Sequence, residues 1–95
     1  MPAYIIADIE VTDPVRYDEY RKLAGPAAQR YGGKYLVRGG AHELLEGDWS
    51  PNRVVVLEFP SVAQAKAFYH SPEYAAARAA RKGASRSSLI VVEGS

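Results

Sequence analysis

Cysteine is absent from the 95-residue chain, which excludes disulfides, thiolate metal sites, iron–sulfur clusters and a cysteine nucleophile together. Histidine is nearly as scarce. His42 and His70 fall in different predicted elements, with no His-x-His or helical His-x-x-x-His pair, so no metal site is expected. An excess of charge is also missing: 12 basic against 11 acidic side chains leave a formal +1, too little for a global pull on nucleic acid or acidic lipid. Apolar runs stop far short of a membrane span, and no basic segment followed by an apolar one opens the chain, so neither a membrane anchor nor secretion is expected and a cytoplasmic location is. The pairs Gly32-Gly33 and Gly39-Gly40 lack the Gly-x-Gly-x-x-Gly pattern and the Lys-Ser/Thr ending of phosphate loops. No cofactor is expected.

The composition that remains, 47% hydrophobic and 24% charged, is that of a folded globular chain rather than a disordered one. Its length fits one domain, residues 1–95, too small to bury both faces of a broad sheet. The stretch Arg53 to Phe59, closed by Pro60, reads as a central strand with Val55, Leu57 and Phe59 on one face and Val54, Val56 and Glu58 on the other. Ala3 to Val11 alternates in the same way. Asp13-Pro14 then caps a helix carrying Tyr17, Tyr20, Leu23 or Ala24, Ala27 and Tyr31 at helical spacing. Gly25-Pro26 is expected to bend or break it, and Gly32-Gly33 to end it.

Lys34 to Gly40 reads as a second strand with a bulge at the glycine pair. Ala41 to Glu46 is expected to continue that strand, and Gly47 to Asn52 to turn it back as a hairpin. Ser61 to Gln64 is a capping box opening a helix through Tyr69. Ser71-Pro72 opens an Ala-rich helix through Lys82, and Ser88 to Glu93 is the last strand. The order β-α-β-β-α-β, with the second helix in two pieces, predicts an α+β ferredoxin-like fold. It has an antiparallel four-stranded sheet of order 4-1-3-2 with its helices on one face.

That arrangement leaves Tyr4, Ile6, Leu36, Val54 and Val56 on a helix-free face, and burying them against a second copy predicts a homodimer built as an α/β barrel. Parity also brings Tyr4, Arg38, Glu58 and Glu93 toward one edge, with Arg38 and Glu58 as an ion pair. Two roles stay open for the pair: a structural bridge that stabilises the dimer, or a clamp in which Arg38 holds a carboxylate or enolate oxygen while Glu58 moves a proton. His70, at a helix end, either complements the helix dipole or serves as an acid–base group. His42 follows the glycine pair and faces solvent or Glu58. Of the seven tyrosines, Tyr17, Tyr20 and Tyr31 can wall a cavity between helix and sheet, and Tyr4, Tyr20, Tyr74 and His42 are the candidate ligand contacts. Arg78, Arg81, Lys82 and Arg86 cluster where helix ends favour cations. RNA binding is not expected, because the central strand offers Val54 and Val56 where stacking aromatics would be needed.

The motifs Y-I-I-A-D-I-E-V-T-D-P from Tyr4, Y-G-G-K-Y-L-V-R-G-G from Tyr31, R-V-V-V-L-E-F-P-S from Arg53, S-P-E-Y from Ser71 and V-E-G from Val92 together resemble the DUF1330 family. The resemblance runs over nearly the whole chain and implies a ferredoxin-like subunit of the dimeric α/β-barrel superfamily. That superfamily includes cofactor-free monooxygenases and isomerases, so the resemblance points to a small organic acid or an aromatic, polyketide-like compound as substrate. A non-catalytic ligand-binding or interaction module is the competing expectation.

Overall fold

A computed structural model describes all of residues 1–95. The chain runs β1 (Ala3–Val11), α1 (Pro14–Arg30), β2 (Lys34–Arg38), β3 (Val54–Phe59), α2 (Val62–Tyr69), α3 (Pro72–Arg81) and β4 (Ser85–Glu93). The strands form one antiparallel sheet of order β2-β3-β1-β4, the ferredoxin-like arrangement that the element order predicts. Alternation sorts the two central strands cleanly. Ala3, Ile5, Ala7, Ile9, Val55, Leu57 and Phe59 are buried under the helices, and their even-numbered neighbours turn to the other side.

The helices begin where side-chain acceptors satisfy their free N–H groups. Asp13 accepts from Arg16 N–H at 3.2 Å, Ser61 from Gln64 N–H at 3.1 Å and Ser71 from Tyr74 N–H at 3.0 Å. Gln64 does not complete a reciprocal capping box. Its Nε2 donates to Tyr31 O at 2.9 Å, which fastens the start of α2 to the end of α1. Of the bend or break expected at Gly25-Pro26, no break occurs: helix α1 runs through Pro26. The bond Pro26 cannot make would go to the carbonyl of Lys22, and both residues lie on the exposed side of the helix, where losing an internal donor costs least. At the C-terminus of α1, Gly33 passes so close to Phe59 that a Cβ would sit 2.8 Å from its ring.

The core is aromatic. Phe68 packs between Phe59 and Tyr74, with ring centroids 5.2 and 4.5 Å away, and Tyr20 meets Tyr74 edge-on at 6.0 Å. A Glu73 carboxylate ties α3 to α1 by accepting from Arg30 Nε at 2.8 Å and Tyr31 OH at 3.1 Å.

Two features of the β2 side depart from expectation. Strand β2 stops at Arg38, and residues 39–53 form an irregular loop rather than a hairpin extension. Asp8 anchors that loop, accepting from Asn52 N–H at 2.9 Å and Trp49 Nε1–H at 3.3 Å, so side-chain bonds replace a strand ladder. The bulge lies between Tyr35 and Val37, ahead of the glycine pair. One extra residue there inverts the alternation that follows: Val37 joins the helix-free face opposite Val56, and Arg38 crosses to the helix face opposite Val55.

Phe68 is almost wholly buried, at 1% exposure. Phe68→Ala is expected to cost about 3–5 kcal/mol, read as a lowered urea midpoint with an unchanged m-value at fixed protein concentration.

Candidate functional site

Three helices do not cover the whole helix face of a four-stranded sheet. Helices α1 and α3 pack against each other, while α2, only eight residues long, lies across β1, β3 and β4. A groove of about 300 Å³ opens between α2 and β4, a size that accommodates a small organic ligand. Its floor is apolar, from Ile5, Leu89 and Val91, and its walls carry Lys66, Tyr69, His70, Arg81 and Ser87. The groove continues into a shallower basin where Arg78, Arg81 and Lys82 stand along the end of α3. None of Lys66, Arg78, Arg81 or Lys82 forms an ion pair within the chain. The Arg78 guanidinium lies over the Tyr69 ring at 4.7 Å, with its Nε buried and unpartnered. His70, the C-cap of α2, stands edge-on to Tyr69 at 5.2 Å.

Behind the groove, Tyr20 and Tyr74 share a buried hydroxyl–hydroxyl bond of 2.8 Å, and Arg81 Nη1 donates to the Tyr74 oxygen at 3.4 Å. The Arg81 guanidinium also stacks over Tyr20 at 4.8 Å. Arg81 thus joins the groove to the centre of the core. On the far side of this pair, Tyr17, Tyr20, Tyr35 and Tyr74 line a narrow interior space of about 40 Å³ whose mouth carries Arg21, Arg38 and Arg53. Burial pushes the phenols of Tyr17, Tyr20 and Tyr35 above the ordinary tyrosine range. For Tyr20 the neighbouring Tyr74 adds to the effect; at Tyr17 the fields of Arg53, Arg81 and Arg21 oppose it, and at Tyr35 chiefly that of Arg38.

The candidates read from the sequence separate into four places. Tyr20, Tyr74 and Arg38 line the narrow interior space, and His70 the groove. Tyr4 and Glu58 are cross-strand partners on the helix-free face, and His42 lies in the exposed loop, its Nε2–H donating to Pro51 O at 2.9 Å. The expected Arg38–Glu58 pair does not form. In the β2–β3 register Glu58 faces Lys34, Arg38 faces Val55 three residues away, and the bulge puts the two side chains on opposite faces. His42 likewise makes no bond with Glu58. Sequence reading missed Lys66 and Tyr69 as groove residues and treated Arg81 as helix-end surface. The i, i+3, i+4 spacing of Lys66, Tyr69 and His70 carried a positional signal, but the width of the gap beside β4 carried none.

Each raised tyrosine keeps its proton in the folded state above the pH at which an unfolded tyrosine loses it. The stabilisation is therefore complete below about pH 10 and declines as pH rises beyond it. Phenolate absorbance from Tyr20 is expected only in step with alkaline unfolding, and Tyr20→Phe should remove amplitude from that late step alone.

The sequence matches, over residues 2–95, the family described as a domain of unknown function, DUF1330. No curated protein matches it. Among solved structures, RPA0582 of Rhodopseudomonas palustris, a protein of unknown function, superposes with a TM-score of 0.77 at 25% identity, covering 99% of this chain and 82% of that one. SnoaB of Streptomyces nogalater, a cofactor-independent oxygenase, gives a TM-score of 0.66 at 12% identity, covering 99% and 93%. A dimeric ferredoxin-like protein of unknown function from Bacteroides fragilis gives 0.65 at 11%, covering 98% and 96%. Below 25% identity such likeness speaks for the fold alone, and it agrees with the sheet order and one-sided helices found here. With its sequence matched from the second residue to the last, the chain belongs to the DUF1330 family.

Proposed function

We propose that the protein is a homodimer, paired through the helix-free faces of its two sheets, that takes a small organic acid with an apolar or aromatic body in the groove between α2 and β4. One observation carries the ligand class: an apolar floor of Ile5, Leu89 and Val91 flanked by Lys66, His70 and Arg81, with no acidic residue in the lining. A hydrocarbon body gains by leaving water for that floor, and its carboxylate meets guanidinium and ammonium donors that have no ion-pair partner within the chain. The pairing of sheets is supported by the apolar helix-free face and by the B. fragilis neighbour, which is described as dimeric.

In this reading the protein is a cofactor-independent enzyme of the isomerase or monooxygenase kind, a class supported by the shared fold with SnoaB. Arg81 holds the carboxylate. His70 at the groove wall accepts a proton from the carbon next to it, and the cation field stabilises the resulting enolate. Tyr20 and Tyr74 are positioning residues that fix Arg81 from behind. Tyr4 and Glu58 belong to the dimer face rather than to the chemistry.

Titration calorimetry with benzoate and with medium-chain carboxylates tests this reading. Saturable binding is expected, weakened roughly tenfold by losing one charge-assisted partner in Arg81→Gln or Lys66→Gln. His70→Gln should keep binding and lower turnover by about two to four orders of magnitude. Binding that does not saturate, or that both charge variants leave unchanged, would overturn the assignment of the groove. Saturable binding with no turnover of any carboxylate would leave a binding module in place of the enzyme.

A further inference from the structure

A second cationic cluster lies on the other side of the helix face, away from the groove. Arg21 of α1, Arg38 at the end of β2 and Arg53 at the entry to β3 surround one notch, and no aspartate or glutamate lines it. Arg21 reaches Asp18 only at 3.8 Å, with both side chains largely exposed, and Arg38 and Arg53 have no ion-pair partner. Such pairs at the surface neutralise little.

The three guanidinia are held rather than dispersed. Arg38 lies over the Tyr35 ring at 4.3 Å, and Arg21 over the Tyr17 ring at 5.3 Å. Arg53 lies against the backbone at Gly39, where a Cβ would run into its guanidinium. Gly39 also has φ +74°, a left-handed conformation that disfavours any other residue. The bulge after Tyr35 completes the cluster, since without it Arg38 would point to the other face of the sheet. Gathering three like charges without a counter-ion works against folding, and an occupant of opposite charge offsets that cost.

We propose that Arg38 and Arg53, with Arg21 at the rim, form a binding site for a phosphate group, either the free ion or a monoester. The three guanidinium groups come from three different elements, α1, β2 and the entry to β3, and planar forks of paired N–H donors suit a tetrahedral dianion better than a single carboxylate. The space behind the rim is about 40 Å³, close to the volume of one water molecule. The anion therefore sits at the mouth, and the organic part of a monoester extends outward to solvent. This site is separate from the groove and does not depend on its ligand.

Arginine Nε–Hε NMR spectra of the full chain, titrated with inorganic phosphate, phenyl phosphate and acetate, test the proposal. Phosphate is expected to shift the Arg38 and Arg53 signals saturably and leave exposed Arg86 unmoved, with acetate at least roughly tenfold weaker. Phenyl phosphate binding equal to or tighter than phosphate identifies a monoester site, and much weaker binding a site for the free ion. Arg38→Gln and Arg53→Gln should each weaken phosphate by roughly tenfold or more, and Arg38→Lys less, because it keeps the charge and loses the fork. Arg81→Gln should leave phosphate unaffected, so failure of the groove assignment and failure of this one are told apart. Linear shifts shared with Arg86, or full binding by an Arg38→Gln/Arg53→Gln variant that melts cooperatively, would overturn the proposal. So would loss of dimerisation in Arg38→Gln, which would identify a partner carboxylate as the occupant.

Discussion

A sheet covered on one side only is the constraint from which the rest follows. The chain has enough helix for a single layer, and that layer packs over the odd-numbered positions of the two central strands. The even-numbered side carries Tyr4, Ile6, Val54 and Val56, extended by Leu36 and Val37 from β2 and by Ile90 and Val92 from β4. Ile90 is 60% exposed and Leu36 48%. At about 1.5 kcal/mol or more for each large apolar side chain buried, leaving this face wet forgoes several kcal/mol and leaves a patch of the kind that marks an interface. The loop of residues 39–53 adds Leu44, Leu45 and Trp49 to the exposed apolar surface, and Asp8, which lies on that same face, holds it there.

The covered side has its own economy. Tyrosine, rather than leucine, fills much of the space between α1, α3 and the sheet, and each buried hydroxyl needs a partner. Tyr20 and Tyr74 answer one another, and Arg81 answers Tyr74. Rings that face the layer's margins receive arginine instead of carbon, as in Arg21 on Tyr17, Arg38 on Tyr35 and Arg78 on Tyr69. A core built this way ends in guanidinium groups on both flanks, with the tyrosine pair between them. The cationic character of both cavities is thus tied to the packing of the core.

Most of the architecture was legible because it rests on local rules. Alternation along Ala3–Val11 and Val54–Phe59, the caps at Asp13, Ser61 and Ser71, and the short connections were enough to place the elements and order the sheet. The site was less legible for one traceable reason. Counting alternate residues along β2 assumes an unbroken ladder, and the extra residue after Tyr35 reverses every assignment beyond it. Arg38 was therefore placed with Glu58, although the antiparallel register alone puts Lys34 opposite that carboxylate. The segment Ala41 to Glu46 read as a continuation of the second strand, yet nothing in its composition reported that Asp8 would hold the loop by side-chain bonds. The final strand begins at Ser85, three residues before the expected Ser88, since Ser85, Arg86 and Ser87 pair with β1 through backbone groups that hydrophobicity does not reveal.

Sedimentation equilibrium at micromolar concentration, on the native chain and on a Val56→Glu variant, bears most directly on the one-sided sheet. The native chain should have twice the 10.4 kDa mass of one subunit, and the charge at the centre of the helix-free face should shift it toward the single mass with its helical content retained. A native protein that sediments at 10.4 kDa, or a Val56→Glu variant as firmly paired as the parent, would contradict the account.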